Sequence, residues 1–305
     1  MRLVTRSDFD GMVCAVLLKE IGLLEEYKFV HPKDVQDGLV VATNNDVLAN
    51  IPYVAGCGLW FDHHSSEKER FGFDFEYQGL SKPAPSCARV IWEYYGGHKS
   101  FSEKLDPLLV AVDKSDSGNL TSDEIINPKG WILLSFIMDP RTGLGRYKDY
   151  RVGNYRLMED MISYCRTKSP EEILEIPDVK ERVTRYFQQD KLFREMLQKN
   201  SKTYGNVLVL DLRDQEEIYT GNRFTVYTMF PQSNISIQVM WGFRRQNIVF
   251  ACGYSIINRT SNTDVGSLML KYGGGGHKQV GTCQVAPDEA ERVLQELIDQ
   301  MNADG

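Results

Sequence analysis

Acidic and imidazole side chains follow apolar runs at several points of the chain. They lie in three segments: "TRSDFDG" with Asp8 and Asp10, "GLWFDHH" with Asp62, His63 and His64, and "AVDKSDSG" with Asp113 and Asp116. Hard divalent cations bind carboxylate oxygens, and Mn²⁺ also accepts imidazole nitrogen. If the fold gathers these segments, the side chains can hold one or two divalent ions.

Each segment also has a purely structural interpretation. Asp8 and Asp10 could cap the first turn of a helix and interact with its dipole. Because adjacent side chains of a strand face opposite ways, His63 and His64 are expected to do different jobs. Asp113 could belong to a polar turn that follows a strand.

Strand-like and helix-like runs alternate over the first 115 residues. "GMVCAVLLKEIG" and "APSCARVIWEYYGG" are predicted helices, the second with Ser86 as N-cap. Strands are predicted in "RLVTRS", "YKFVHP", "GLVVATN", "VLANIPYV" and "GLWFD". A further strand is predicted in "LLVAVDKSD", just before Asp116. This alternation is typical of a parallel α/β sheet, in which ligands bind at the carboxyl ends of the strands. Asp8, Asp10, Asp62, His63 and Asp116 are therefore expected to converge there.

A second domain is expected after a mainly helical stretch over residues 120–200. The segments "NVLVLDL", "RFTVYTMF", "ISIQVMWGF" and "NIVFACGYSII" are predicted strands, and helices are predicted over about 264–272 and 287–302. The fold class is α/β: an N-terminal domain over 1–200 and a smaller C-terminal α/β domain over 205–305, joined by a helical linker. A chain of 305 residues is long for a single hydrophobic core, which favours two domains.

Composition restricts the partners and the compartment. The formal net charge is −7, so no global field attracts nucleic acid. None of the six cysteines forms a C-x-x-C pair, no apolar run reaches bilayer length, and the first 20 residues lack a signal-peptide core. These features predict a cytoplasmic protein that does not bind membranes.

The segment "YGGGGHKQVG" removes every Cβ over four residues, so its backbone N–H groups can approach and surround an anion. The alternative is a flexible connection between a helix and a strand. The run of four glycines followed by a histidine favours a phosphate or nucleotide site, made by Gly274, Gly275, Gly276 and His277.

Two arginines are further candidates for substrate binding. Arg259 in "IINRTSN" could grip a phosphate with its two-pronged guanidinium, or lie on a surface loop. Arg141 belongs to the basic stretch "DPRTGLGRYKDYR", which could bind the remote end of a phosphorylated substrate or be a solvated loop.

The ordered set "SDFDG", "DHH", "DKSDS" and "GGGGH" resembles the DHH phosphoesterase family with its associated C-terminal domain. The resemblance covers both ends of the chain, and the ordered set is more specific than any one motif. It implies a metal-binding N-terminal domain, a nucleotide-binding C-terminal domain, and a scissile phosphate between them.

The resemblance also implies roles for individual residues. Asp8 and Asp10 would ligate metal, His63 would ligate a second metal beside Asp116, Asp62 would orient the neighbouring histidine, and His64 would face the substrate. Related enzymes include exonucleases, oligoribonucleases and pAp phosphatases, and cyclic-dinucleotide phosphodiesterases.

Two positions depart from the family pattern. Arg6 stands where the family has a histidine, and Asn50 stands where it has an aspartate, unless Asp46 occupies that place. Arginine does not ligate metals and keeps its charge, and asparagine offers only a neutral oxygen. The site is therefore expected to hold either one ion or two, and Arg6 could help to neutralise charge on the substrate.

The function predicted is a Mn²⁺-dependent phosphoesterase, with Mg²⁺ as the alternative ion. It would use metal-activated water on short phosphorylated nucleotides such as nanoRNA, linear dinucleotides or pAp. The alternatives are a nucleotide-binding protein with a degenerate metal site and a polyphosphate or pyrophosphate hydrolase. Duplex DNA is not an expected partner, and a homodimer is compatible with the sequence.

Overall fold

A parallel five-stranded sheet forms the N-terminal half of the computed structural model, which describes residues 1–31, 34–35, 37–64 and 76–305. Its strands are β1 (Arg2–Arg6), β2 (Glu26–Val30), β3 (Asp46–Ala49), β4 (Leu59–Asp62) and β5 (Gly79–Ser81). They lie in the order β2-β1-β3-β4-β5, and every neighbouring pair is parallel. All carboxyl ends therefore meet at one edge.

Helices lie between and after these strands, up to residue 200. They are α1 (Phe9–Glu20), α2 (Cys87–Tyr94), α3 (Asp106–Asp116), α4 (Ser122–Ile126), α5 (Gly130–Met138), α6 (Asn154–Thr167), α7 (Pro170–Leu174) and α8 (Pro177–Asn200). Helix α1 is buried from Phe9 to Leu18, and it contacts β1, α2, α3 and α6. A helix that is apolar on all sides is typical of a core element, so α1 and the residues at its start are rigidly placed.

Gly11 allows α1 to begin close to the end of β1. A Cβ at this position would lie 2.1 Å from the carbonyl oxygen of Arg6 and 2.7 Å from Oγ1 of Thr5. Neither neighbour can move away easily, because Thr5 is buried and its hydroxyl donates to the carbonyl of Ala49 at 2.8 Å. The glycine of "SDFDG" is thus required by packing.

A six-stranded mixed sheet forms the second half. Its strands are β6 (Ser201–Tyr204), β7 (Val207–Asp211), β8 (Ile235–Trp241), β9 (Ile248–Tyr254), β10 (Gly275–His277) and β11 (Val280–Val285), and its further helices are α9 (Thr225–Met229), α10 (Val265–Leu270) and α11 (Ala290–Asp304). The order is β10-β11-β9-β8-β7-β6, with β7 and β8 parallel and the other pairs antiparallel. Alternate residues of β8 and β9 pack with α10 and α11 in one core. The α/β fold class is confirmed.

The packing divides the chain into two units, residues 1–120 with 127–186, and residues 121–126 with 187–305. The division at Tyr186 lies inside α8, earlier than the predicted boundary between residues 200 and 205. The second half of the helix packs on the C-terminal unit: the side chain of Gln189 accepts from the N–H of Thr220 at 2.7 Å. One continuous helix therefore belongs to both units.

Three predicted strands are not strands. Residues 39–43 of "GLVVATN" have no regular structure, and "LLVAVDKSD" lies in α3, so Asp116 comes from a helix. The segment "RFTVYTMF" contains α9, because the side chain of Asn222 accepts from the N–H of Phe224 at 3.0 Å and starts a turn. This local hydrogen bond outweighs the β-propensity of the valine, threonine and tyrosine that follow.

Among the described residues, no helix combines the length and the apolar character needed to cross a membrane.

Candidate active site

Three of the expected ligands converge at the carboxyl edge of the parallel sheet. Asp10 lies in the first turn of α1, His63 follows β4, and Asp116 ends α3; one ligand atom from each lies within 4.8 Å of the others. Nε2 of His63 lies 3.2 Å from Oδ2 of Asp116 and 3.8 Å from Oδ2 of Asp10. We call these three residues the acid–imidazole cluster.

A backbone carbonyl sets the tautomer of His63. Its Nδ1 lies 3.2 Å from the carbonyl oxygen of Ala84, which can only accept, so Nδ1 carries the proton in this hydrogen bond. The buried Nε2 makes no hydrogen bond to any residue that the structure describes. In the neutral imidazole, this arrangement directs the Nε2 lone pair toward the two carboxylates, as in a metal-ligating histidine.

Asp10 is held by the backbone of a distant helix. Its Oδ2 accepts from the N–H of Cys87 and its Oδ1 from the N–H of Ala88, both at 2.9 Å. Burial raises the pKa of Asp10 well above its usual value, and the nearby charges of Asp116 and Asp8 add to this effect. A divalent cation would relieve the repulsion between these carboxylates, so the donor set fits an ion of the Mn²⁺ or Mg²⁺ type.

Asp8 has different surroundings from Asp10, although only one residue separates them in the sequence. It is the N-cap of α1, with Oδ1 accepting from the N–H of Gly11 at 2.9 Å and from Nδ2 of Asn50 at 3.1 Å. Its Oδ2 lies 3.0 Å from Nε of Arg6. Protein donors thus face both carboxylate oxygens, and the helix-capping interpretation describes this residue correctly. Burial raises its pKa, while the charge of Arg6 opposes the rise.

Asn50, rather than Asp46, occupies the position at the end of β3. Asp46 begins that strand and binds Arg2, with 2.7 Å between Oδ1 and Nε, so it lies at the opposite edge of the sheet. Asn50 has a φ of 58°, in the left-handed region where asparagine is a favoured non-glycine residue. This backbone turn directs its side-chain amide at Asp8.

The two histidines of "DHH" lie side by side. Their ring centroids are 4.2 Å apart, so the expectation of opposite faces is wrong: β4 ends at Asp62, and alternation does not continue beyond it. Oδ1 of buried Asp62 accepts from Nδ1 of His64 at 2.8 Å, so Asp62 orients His64 rather than His63. Burial lowers the pKa of His64, but the hydrogen bond and charge of Asp62 outweigh it and raise the pKa to about 9.

Arg141 lies in the same unit as the acid–imidazole cluster. It belongs to the 3₁₀ turn Pro140–Thr142, and its Nε donates to Oδ1 of Asp139 at 2.8 Å. Burial lowers its pKa, but the charges of Asp139, Asp8 and Asp116 raise it overall. These negative charges favour the protonated guanidinium.

The glycine segment lies in the C-terminal unit, where its glycines differ in their surroundings. A Cβ on Gly274 would lie 2.1 Å from the carbonyl oxygen of Thr282, and one on Gly276 would lie 2.2 Å from that of Val280. These two glycines are needed for the β10–β11 pairing. A Cβ on Gly275 would meet nothing within 4 Å, so the backbone there is open to a ligand. His277 ends β10.

Arg259 lies in the same unit, on the segment between β9 and α10. It is exposed, and its Nε donates to the carbonyl of Ile256 at 3.0 Å. The structure places this side chain on the surface of the C-terminal unit, as the surface-loop alternative expected; a phosphate-binding role is compatible with that exposure.

The comparison with solved structures decides the family. The chain matches the pGpG-specific phosphodiesterase PggH from Vibrio cholerae with 53% identity and a TM-score of 0.86, over 100% of this chain and 99% of that one. The chain belongs to the DHH phosphoesterase family. It is accordingly a hydrolase, and the resemblance drawn from its motifs is confirmed.

More distant structures share the fold of this DHH phosphoesterase. An exopolyphosphatase-related protein from Bacteroides fragilis matches with 13% identity and a TM-score of 0.58, over 99% of this chain and 92% of that one. RecJ from Thermus thermophilus, solved in complex with Mn²⁺, matches with 11% identity and a TM-score of 0.51, over 98% of this chain and 51% of that one. No protein-family model and no curated protein matches the chain.

Proposed function

We propose that this DHH phosphoesterase hydrolyses short linear dinucleotides that carry a 5′-phosphate, with pGpG as its preferred substrate and Mn²⁺ as its ion. The observation that carries the proposal is the 53% identity, over the whole chain, to a phosphodiesterase described as specific for pGpG. The acid–imidazole cluster supports it, because phosphodiester hydrolysis needs an activated water and positive charge near the phosphate.

Asp10, His63 and Asp116 would hold the ion. When bound, a divalent ion lowers the pKa of a coordinated water and attracts the phosphate oxygens. The chain itself would orient the ligands. Ala84 keeps the proton of His63 on Nδ1, and the N–H groups at the start of α2 keep Asp10 in place. In the overall reaction, water adds across the bridging P–O bond, one nucleotide keeps the phosphate, and the other recovers its 3′-hydroxyl.

Positive side chains of the N-terminal unit would neutralise charge on the substrate. Arg6 and Arg141 each use Nε to bind a carboxylate, Asp8 and Asp139 respectively. Each guanidinium would also contact phosphate oxygens, which guanidinium groups bind in bidentate fashion. His64, held by Asp62, would contact the phosphate from the histidine side of the cluster.

The chain would use a single ion at this site. Both oxygens of Asp8 already face the protein donors Gly11, Asn50 and Arg6, and the guanidinium of Arg6 supplies a fixed positive charge there. A second divalent ion on Asp8 would have to displace these contacts and lie beside a cation.

In the C-terminal unit, the open backbone at Gly275 would bind nucleotide phosphates, helped by His277 and Arg259. A Cβ at Gly275 would meet nothing within 4 Å. A backbone without a side chain on that side would let an anion approach closely.

The proposal is tested by incubating the purified chain with Mn²⁺ and a panel of substrates. The panel contains pGpG, pApA, GpG without its 5′-phosphate, pAp, a five-nucleotide RNA and polyphosphate. We expect GMP from pGpG at the highest kcat/KM. Release of orthophosphate from polyphosphate at a comparable rate would favour the polyphosphate hydrolase instead.

A second candidate function is nucleotide binding without efficient catalysis. The observation that favours it is the engagement of Asp8 by Arg6 and Asn50, which removes one carboxylate from metal binding. Tight binding of pGpG with no turnover under Mn²⁺, Mg²⁺ or Co²⁺ would establish this function and refute the hydrolase.

A further inference from the structure

Asp113 makes a set of contacts that the proposed chemistry does not use. It lies on α3, three residues before Asp116 and therefore on the same side of the helix. Its Oδ1 accepts from the hydroxyl of Ser86 at 2.7 Å, and its Oδ2 accepts from Nε of Arg89 at 2.9 Å. Ser86 is buried, and the side chains of Asp113 and Arg89 are largely shielded from solvent. The carboxylate thus ties α3 to the start of α2.

Ser86 is the centre of a short segment that contacts two of the three cluster residues. The carbonyl of Ala84 accepts from His63 at 3.2 Å, and the N–H groups of Cys87 and Ala88 donate to Asp10 at 2.9 Å. We call residues 84–88 the orienting segment. Its conformation sets the direction of the Nε2 lone pair of His63 and the position of the Asp10 carboxylate.

Asp113 connects this segment to the third cluster residue. Since Asp113 and Asp116 share one helix, the hydrogen bond from Ser86 to Asp113 fixes the orienting segment relative to Asp116. The Ser86 hydroxyl also accepts from the N–H of Arg89 at 3.0 Å, as the N-cap of α2. The side chain of Ser86 therefore links the start of α2 to α3.

We propose that Asp113 is a positioning residue that sets the affinity of the acid–imidazole cluster for its divalent ion, through Ser86 and the orienting segment. It does not itself contact the ion. Groups that hold metal ligands in place commonly contribute ~10–100-fold in metal affinity. The inference rests on the proposed function, because it takes the cluster to be the metal site.

The test measures the Mn²⁺ dissociation constant, by the EPR signal of free Mn²⁺, for the wild type and a set of variants. We expect Asp113→Ala and Ser86→Ala to weaken binding by ~10–100-fold. Asp113→Asn keeps an oxygen that accepts from Ser86 although it loses the acceptor for Arg89, and Ser86→Thr keeps the hydroxyl. These conservative variants should therefore recover most of the affinity.

The matched control is Asp149→Asn, which also removes a carboxylate from a two-point pair with an arginine. Asp149 binds Arg185 with oxygen–nitrogen distances of 2.7 and 2.6 Å, on an exposed part of the same unit. It should leave the dissociation constant unchanged. The melting temperature of every variant is recorded, so that a loss of stability is separated from a loss of affinity.

Wild-type affinity in both Asp113→Ala and Ser86→Ala would overturn the inference, and so would an equal loss in Asp149→Asn. If Asp113→Ala does not fold, Ser86→Ala decides. The proposed function fails separately: a wild type that binds Mn²⁺ at the cluster but does not cleave pGpG leaves the role of Asp113 intact.

Discussion

Nε2 of His63 lies 3.2 Å from Oδ2 of Asp116, although the two residues are 53 positions apart and come from a strand end and a helix end. Asp10 reaches the same point from α1. Three elements of the N-terminal unit thus deliver one imidazole and two carboxylates to a shared position at the carboxyl edge of a parallel sheet, where such folds bind ligands.

Removing the imidazole should greatly weaken metal binding at the cluster. We expect His63→Ala to weaken Mn²⁺ binding by at least ~100-fold, because a ligand contributes more than the groups that orient it. Turnover of pGpG should fall with it, while the melting temperature changes little. Isothermal titration calorimetry and product analysis check this. His98→Ala is the control, since His98 is exposed and pairs with Asp106; a variant His63→Ala with wild-type affinity would contradict the assignment.

The number of ions per chain should change when the donors around Asp8 change. The wild type should bind one Mn²⁺, because Arg6 and Asn50 engage Asp8. Replacing them together, Arg6→His with Asn50→Asp, removes a cation and adds an imidazole and a carboxylate, so we expect two ions. Equilibrium dialysis with metal analysis counts them. Two ions in the wild type, or one in the double variant, would show that Arg6 does not stand in for an ion.

The glycines of "GGGGH" should separate into structural and ligand-facing positions. Gly274→Ala should cost about 1–3 kcal/mol of unfolding free energy, because its Cβ would lie 2.1 Å from the Thr282 carbonyl. Gly275→Ala has open space and should keep the wild-type stability but weaken pGpG binding. Urea unfolding and nucleotide titration measure the two effects. Unchanged nucleotide affinity in Gly275→Ala would leave this turn with a structural role only.

Stability at low pH should depend on the pair formed by Arg2 and Asp46 at the other edge of the sheet. Burial raises the pKa of Asp46, but hydrogen bonds from Arg2 and Thr43 outweigh it, so the pKa in the folded state is lowered overall. Its charge therefore stabilises the fold above the unfolded-state pKa of 3.8, and this contribution is lost as the pH falls through the folded-state pKa.

Asp46→Asn should accordingly cost about 1–3 kcal/mol near pH 7, as expected for hydrogen bonds to a charged group. The difference from the wild type should shrink below pH 3.8. Urea unfolding at several pH values measures it, with Asp106→Asn as the control at an exposed acid. A difference that stays constant down to pH 2 would show that the charge of Asp46 plays no part.

Much of the parallel sheet could be predicted because its signals are local. "GLWFD" is an apolar run that ends in an acid, and Ser86 is a typical N-cap before "CARVIWEY". These signals predicted β4 and α2 correctly. The convergence of Asp10 and His63 followed from the rule that parallel strands share a carboxyl edge.

The rest depends on contacts between distant parts of the chain. The N–H groups of Cys87 and Ala88 hold Asp10 across more than 75 positions, and a backbone donor leaves no mark on residue type. Asp116 was expected after a strand, although "LLVAVDKSD" is part of a helix. A run of five apolar residues, "LLVAV", fits either element, and only its packing against α1 and α5 decides.

The account rests on the claim that Asp10, His63 and Asp116 share one divalent ion. The most direct test is a crystal grown with Mn²⁺ and measured at the manganese absorption edge. We predict one anomalous peak in the N-terminal unit, at ~2.0–2.3 Å from Nε2 of His63 and from a carboxylate oxygen of each aspartate. A peak centred on Asp8 instead, or full Mn²⁺ occupancy elsewhere with none at the cluster, would contradict it.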